Sequence, residues 1–389
     1  MHPSLFANFH PPEPLKPSMQ MPVNEHCWCG SGTKWKRCHR DREHQEPIPV
    51  GKLLADLQVE MSTGYCLHPE AGSGTCASKI IRAHTVQRKG GLAAIAEDGH
   101  VISPKLGFKD IFKNEGEIVP RLHGVRDAST FMGFCEAHDD KLFAPIEKTP
   151  VTLSKDAGFL LSFRAICYEL FTKHAALRSI EIQRQADKGQ PFDIQCKIQQ
   201  FLHFYREGIK RGLRDLESWK GKYDVAYLTG NLDEFSFYGV MFSNVLPIVS
   251  CGAFYPEFDF AGNRLQIVTR GDSAFEHVCL NLTVVGGKSV AVLGWTGEPG
   301  GPADQFVNSF RSLPRDVTAN AAFYLACEHL ENTYFCPSWW NSQTETVREH
   351  LVGRFRSGIG LGGTERNPDC LSRLEYSFAT AAVEQELDS

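Results

Sequence analysis

The sequence has no apolar run approaching the roughly 18 residues that a membrane-spanning helix needs, the longest candidate being the interrupted stretch from Val245 to Phe254. A spanning role is excluded on that ground, and no membrane partner is expected. The first residues, MHPSLFANFHPPEP, offer neither a basic region nor a continuous apolar core of the kind a secretory signal requires, so the expected compartment is the cytoplasm. Charge of one sign is in small excess. Lys and Arg total 41 against 46 Asp and Glu, a net charge of -5, which argues against a chain that coats nucleic acid over its whole surface and leaves room for a local basic face. The signature of acyl transfer is missing too. G-x-S-x-G does not occur, and Gly286 to Ser289 end like a phosphate-binding loop although Leu282 stands where its first glycine belongs, so nucleotide binding is not expected there. No repeat at a fixed period is visible.

What is present favours a folded chain. Of 389 residues, 42% are hydrophobic, 26 are Phe and only 22% are charged, enough apolar surface to offset the entropy of folding in two to three domains. Residues 1–22 are rich in proline and read as a flexible tail, 23–45 as a compact cysteine-containing module, and 46–62 as a connector whose Leu53, Leu54, Leu57 and Met61 fall at helical spacing. A second Cys/His-containing unit spans 63–150. Apolar residues from Phe159 to Phe171 recur with a helical period, and the GQP at 189–191 stops that helix before a second one running from about 192 to 218. Residues 151–220 therefore read as an α-helical hairpin.

From 221 to 389 the texture changes to an α+β domain. YDVAYLTG, FSFYGVMFS, LPIVSCGAF, LQIVTR and LNLTVVGGKSVAVLGW are rich in β-branched and aromatic residues, predicting an antiparallel sheet with Gly286 and Gly287 as a two-residue hairpin turn. Helices over 303–332 and 342–353 are expected to cover one face of it. The fold class is thus α+β, with small Cys/His-containing modules at the N-terminus, an α-hairpin, and then an antiparallel sheet with covering helices.

Thirteen cysteines in a cytoplasmic chain are read as metal ligands where they cluster and as small core residues where they are scattered, the latter being Cys167, Cys196, Cys251, Cys279, Cys327, Cys336 and Cys370. The run from Cys27 to His39, C-W-C-G-S-G-T-K-W-K-R-C-H, brings four ligands round one tetrahedral ion, with Gly30 and Gly32 turning the loop back. It resembles the SEC-C motif, the zinc-binding tail first recognised on the SecA preprotein motor. The resemblance implies Zn2+ held by Cys27, Cys29, Cys38 and His39, in a module that serves as a docking tag on otherwise unrelated proteins. Four protein ligands leave no open position, which makes such a site structural. Lys34, Lys36, Arg37, Arg40 and Arg42, with Trp28 and Trp35 interleaved, offer a basic face for an acidic protein partner or a phosphate backbone.

The second unit carries Cys66, Cys76, the segment KIIRAHTVQR, and later FMGFCEAHDDKLF with Cys135 and His138 two residues apart. A Cys-x-x-His at the start of a helix looks like the second half of a treble-clef zinc knuckle. The order of these parts resembles a degenerate HNH, or ββα-metal, endonuclease module. That resemblance implies a second Zn2+ on Cys66, Cys76, Cys135 and His138, with His84 as general base and Asp139 as a carboxylate beside a catalytic Mg2+ or Mn2+. Ala83, His84 and Thr85 stand where the family shows Ala-His-His, and Asn114 is the residue available as a central Asn. His84 is equally open to being a zinc ligand in place of Cys76 or His138. His68 and His100 read as surface-loop histidines. Lys79, Arg82, Arg88 and Lys89 lie in a stretch, 79–92, with no acid and form the best candidate for nucleic-acid contact.

Three functions are open at this point. The first is a bacterial zinc-binding protein for nucleic-acid or macromolecular recognition, the second a metal-dependent HNH-like nuclease using His84, and the third an assembly scaffold with two structural zincs.

Overall fold

The computed structural model describes residues 12–72, 74–77, 79–104, 117–147, 151–267, 275–359 and 376–388. The first eleven residues of the expected tail, Asn114 and Cys370 lie outside the described residues. The chain is α+β, as its sequence texture implies, and divides into two compact units. Among the described residues, one gathers those of 12–63 and 170–217, the other those of 64–169, 218–267 and 275–388. Two long helices, Lys155–Gln183 and Phe192–Thr229, each contribute residues to both.

In the first unit, the helix Val50–Met61 buries Leu53 and Leu57. The parts of the long helices that belong here run antiparallel: His174 faces Glu217 near one end and Arg184 meets Gln199 near the other. A 3₁₀ turn, Arg184–Asp187, and Gly189 at φ +72° close the corner between them. Gly189 is required there, because a Cβ would lie 2.6 Å from Pro47 and 2.8 Å from the Gln45 carbonyl.

Among the described residues the second unit holds ten strands: β1 (Ile80–His84), β2 (His100–Ser103), β3 (Arg121–Gly124), β4 (Thr130–Cys135), β5 (Phe235–Phe242), β6 (Ile248–Phe254), β7 (Val278–Val285), β8 (Lys288–Thr296), β9 (Thr333–Phe335) and β10 (Val383–Asp388). β1 pairs with β4 alone, antiparallel, with Ile80 opposite Cys135 and His84 opposite Thr130. The other eight form one antiparallel sheet in the order β10-β5-β8-β7-β6-β9-β2-β3. Its centre is the hairpin read from the sequence, with Gly286 and Gly287 at φ +58° and +79°, the pair of positive values that a tight hairpin turn needs.

Every residue of β7 is buried, so both faces of the sheet are covered, where the sequence pattern led us to expect helices on one. On one face Tyr238, Leu280, Leu282 and Leu293 share a core with Phe306, Phe310 and Phe323 from the helices Pro302–Arg311 and Arg315–His329. The alternate residues face the segments of the long helices that belong to this unit. Gly158 sits against Phe237, and Gly294 against Ser162. YDVAYLTG, expected as a strand, continues the helix Phe192–Thr229 up to Gly230. Its Tyr223 is fully buried and stacks on Phe159, so tertiary packing overrides the β propensity of the segment.

Of the scattered cysteines, Cys167, Cys251, Cys279 and Cys327 are buried as expected. Cys196 and Cys336 are only half-buried, the first beside a small cluster around Trp28 and the second against the Glu97 carboxylate at 3.2 Å. Among the described residues, no helix is long and apolar enough to cross a membrane.

Candidate metal centres

The first centre is built from a loop that folds back on itself. His26 bridges to Lys34, the Cys27 N–H donates to the Thr33 carbonyl at 2.8 Å, and Gly30 and Gly32 both take φ +75°. A 3₁₀ turn, Trp35–Arg37, then returns Cys38 and His39 to the two earlier cysteines. The ligand atoms of Cys27, Cys29, Cys38 and His39 lie within 4.8 Å of one another and all four residues are buried. The Cys29 and Cys38 sulfurs are 3.6 Å apart, and His39 Nδ1 is 3.2 Å from Cys27 Sγ and 3.1 Å from Cys38 Sγ. Zn–S bonds of about 2.3 Å and Zn–N bonds of about 2.0 Å in a tetrahedron give edges of roughly 3.5–3.8 Å. These three thiols and one imidazole therefore fit Zn2+ with small outward shifts. Hydrogen bonds among the sulfurs push the Cys29 thiol down and the Cys27 thiol up, so the crowded group favours holding at least one thiolate.

This centre has an outer layer that the sequence reading missed. His39 Nε2 lies 2.8 Å from Asp187 Oδ2. Arg42 Nε donates to Asp187 Oδ1 at 2.6 Å, and Gln199 Nε2 donates to Asp187 Oδ2 at 2.7 Å. Arg184 donates to the Cys29 carbonyl at 2.8 Å. No local pattern announces these partners, since Asp187 is 148 residues from His39. The tryptophans differ from expectation as well. Trp28 and Trp35 are buried with the cysteines in a small core and are not displayed on the basic face, and Arg42 is buried against Asp187. What remains exposed is Lys34, Lys36, Arg37 and Arg40. A cavity of about 160 Å³ opens beside the cluster, with Arg37, Arg42, Arg184 and Lys188 among its walls. Three thiolates against one Zn2+ leave a single negative charge, which those cations offset.

The second centre forms where a loop is stitched alongside β4. Tyr65 and Leu67 N–H groups donate to the carbonyls of Met132 and Gly133, which fixes Cys66 between them. Cys135 ends β4, and His138 lies in the first turn of the following helix, Glu136–Glu147. With Cys76 they make a second group of three cysteines and one histidine whose ligand atoms are within 4.8 Å of one another. His138 Nδ1 is 3.3 Å from both Cys66 Sγ and Cys135 Sγ and 3.6 Å from Cys76 Sγ. The same donor chemistry and spacing fit a second Zn2+. His68 is not on a surface loop. It is buried, with its ring stacked on His138, and burial holds its pKa down to about 4.

His84 is not in this group. It sits at the opposite end of the β1–β4 ladder from Cys135, four residues on from Ile80, or roughly 13 Å at the strand rise. Its Nε2 lies 3.1 Å from the Val125 carbonyl, and burial depresses its pKa. Asp139 follows His138 in the helix; burial pushes its carboxyl up to about 6 against the pull of Arg164, and its Oδ1 has no hydrogen-bond partner among the described residues. Lys79, Arg82, Arg88 and Lys89 are all exposed, with Arg82 paired to Asp127. Two acids of the sheet unit have structural partners: Asp259 closes a loop by accepting from Ala261 and Asn263, and Glu276 accepts from the Ala303 N–H.

Residues 24–41 match the SEC-C motif family. Comparison with curated proteins and with solved structures returns no match for the chain. The matched residues include all four members of the first Cys₃His group.

Proposed function

We propose that this chain is a zinc-stabilised recognition protein that docks on a polyanionic partner, with nucleic acid the first candidate, and that neither metal centre performs chemistry. The observation carrying this reading is that each cluster supplies four protein ligands, which leaves zinc no open position for a substrate or water. Zinc then acts by holding shape. In the first module the shape held is a face of four exposed cations, Lys34, Lys36, Arg37 and Arg40. Lys79, Arg88 and Lys89 add a second exposed set, none with an ion-pair partner among the described residues. The test is fluorescence anisotropy with labelled duplex DNA, single-stranded DNA and RNA from low to physiological salt. Binding should weaken as salt rises, and the double variant Lys36→Glu/Arg37→Glu should bind at least tenfold more weakly without losing zinc. Absence of binding to all three at low salt would overturn the nucleic-acid reading and leave the assembly scaffold.

A second reading is favoured by one arrangement. β1 and β4 pair as two strands against the start of the helix Glu136–Glu147, although β2 and β3 intervene in the chain; candidate zinc ligands lie at the strand–helix junction, and His84 and Asp139 share Arg164 and Glu147 as charged neighbours. On this reading the chain is an HNH-like endonuclease in which Mg2+ or Mn2+ would supply Lewis-acid chemistry, and His84, whose Nε2 faces the Val125 carbonyl, would keep Nδ1 for general-base work. Plasmid nicking with added Mg2+ or Mn2+, abolished in His84→Ala while two zincs remain, is the outcome that supports it. No cleavage of DNA or RNA with either ion removes it.

A further inference from the structure

The structure assigns Asp187 as the positioning carboxylate of the first zinc centre, and through it couples metal loading to the order of the helical corner at residues 184–199. This rests on zinc occupying the Cys27, Cys29, Cys38 and His39 cluster and is independent of which partner the protein binds.

A histidine can give a metal only one nitrogen, and the hydrogen bond made by the other decides which. His39 turns Nδ1 to the three sulfurs and Nε2 to Asp187 Oδ2, 2.8 Å away. With the carboxylate accepting, the proton is kept on Nε2 and the Nδ1 lone pair faces the metal position. Asp187 is itself fully buried, and its two oxygens accept from Arg42 and Gln199 besides His39. It therefore has no freedom to swing away, and the ring plane of His39 is set with it.

The same contacts run the other way. Arg42, three residues after His39, donates through Nη2 to the Arg184 carbonyl at 2.8 Å, and its own carbonyl accepts from the Gly189 N–H at 3.0 Å. The Arg184 side chain reaches back to the Cys29 carbonyl at 2.8 Å, beside a ligand sulfur. Phe192 and Cys196 complete the small core formed by Trp28, Trp35 and the ligand cysteines. That core contains no large aliphatic residue among its buried members, so it cannot hold the corner without the ion that gathers its sulfurs. Metal at one end and the closed corner at the other are two views of one equilibrium. The SEC-C module here is fastened to its own chain by buried polar contacts, and the corner is the part of the molecule that would register loss of the ion.

The experiment uses the full chain with both zincs. Asp187→Asn and Asp187→Ala should lower the affinity of the first zinc by about 10- to 100-fold in competition with a chromophoric chelator, while the second zinc serves as an internal reference and keeps its affinity. In the zinc-loaded protein the His39 Nε2–H resonance should move to the shift of a weaker hydrogen bond and exchange faster with solvent in Asp187→Ala, a change that a merely structural role for Asp187 would not produce. In the wild-type protein, chelation of the first zinc should speed amide exchange across 184–199 while β7 and β8 stay protected, a measurement that stands even if the variants fold poorly. First-zinc affinity within threefold of wild type in Asp187→Ala, or unchanged exchange at 184–199 after that ion is removed, overturns the proposal. Elemental analysis finding no zinc at the first centre would instead overturn the metal assignment on which it stands.

Discussion

His68 lies face to face on His138, with ring centroids 4.0 Å apart and planes 5° from parallel. His138 is the one imidazole of the second cluster, and His68 comes from the loop that also carries Cys66. Its Nδ1 accepts from the Glu70 N–H at 3.1 Å, and its Nε2 faces the Tyr227 hydroxyl at 3.4 Å, so the stacked ring is anchored at both nitrogens. The stack backs the ligand ring without competing for the ion. His68→Ala should destabilise the second unit by roughly 1–2 kcal/mol, the scale of a lost aromatic contact and the space it leaves. It should also loosen retention of the second zinc. His68→Phe keeps the stacking surface and should retain most of the zinc affinity. Chelator competition on the two variants checks this, and equal affinities for Ala, Phe and wild type would refute the role.

Elemental analysis of protein purified without chelator should give two zincs per chain. Cys135 is fully buried at the junction of β4 and the following helix, and pairs through the backbone with Ile80. Cys135→Ser should therefore lose one zinc and lower the thermal midpoint markedly, because the ion supplies much of what holds a loop with few apolar contacts to that hairpin. Cys38→Ser should also lose one zinc, with the first unit affected and the β7–β8 core keeping its exchange protection. One zinc or none in the wild type would refute the two-centre organisation.

The parts of this molecule that were legible in the sequence are those set by neighbours along the chain. The Cys27 to His39 spacing gives its cluster because every ligand lies on one short loop, and Gly286-Gly287 gives its hairpin because both turn residues need positive φ. Cys66 and Cys135 are far apart in sequence, yet the Cys-x-x-His at a helix start marked where the second half of that site would close. What escaped is fixed by distant partners. Tyr223 to Thr229 carry β-forming side chains, but Phe159 and Phe163 offer a helix face to pack on, and the helix continues. Asp187 looks like any acid near a helix end until folding places it against His39. Trp28 and Trp35 looked like recognition residues because sequence spacing does not reveal that the cysteines need them as a core.

Gly294 illustrates a constraint of the same distant kind. A Cβ there would stand 2.1 Å from Ser162 Oγ, on the helix against the sheet, and 2.8 Å from the Phe235 ring in the sheet itself. Neither can retreat easily, since Ser162 is buried on a helix and Phe235 belongs to the neighbouring strand. Gly294→Ala should cost about 1–3 kcal/mol by overpacking, with zinc content unchanged. Denaturant unfolding measures it, and a variant as stable as wild type would show that helix and sheet are not in that close contact.

The last expectation concerns acid. His277 is completely buried and stacks on Trp219 at 4.1 Å, with the Tyr223 hydroxyl 3.4 Å from its Nε2 and no partner for its Nδ1 among the described residues. Burial first, and the positive charge of Lys222 second, hold its pKa down to about 3 from an ordinary value of 6.5. The folded protein therefore keeps this ring neutral while the unfolded chain protonates it. Between those two values the unfolded state binds the extra proton, so stability rises with pH. The contribution is complete above pH 6.5 and is lost progressively as pH falls toward 3. Going from pH 7 to pH 5 should remove about 2 kcal/mol through this one group. His277→Phe preserves the stack on Trp219 and deletes the titration, so its stability should fall less over the same interval by about that amount, whatever acid does to the zinc centres in both proteins. Denaturant midpoints at matched pH values measure the difference. Parallel acid limbs in the two proteins would mean that His277 is solvated and protonates in the folded chain.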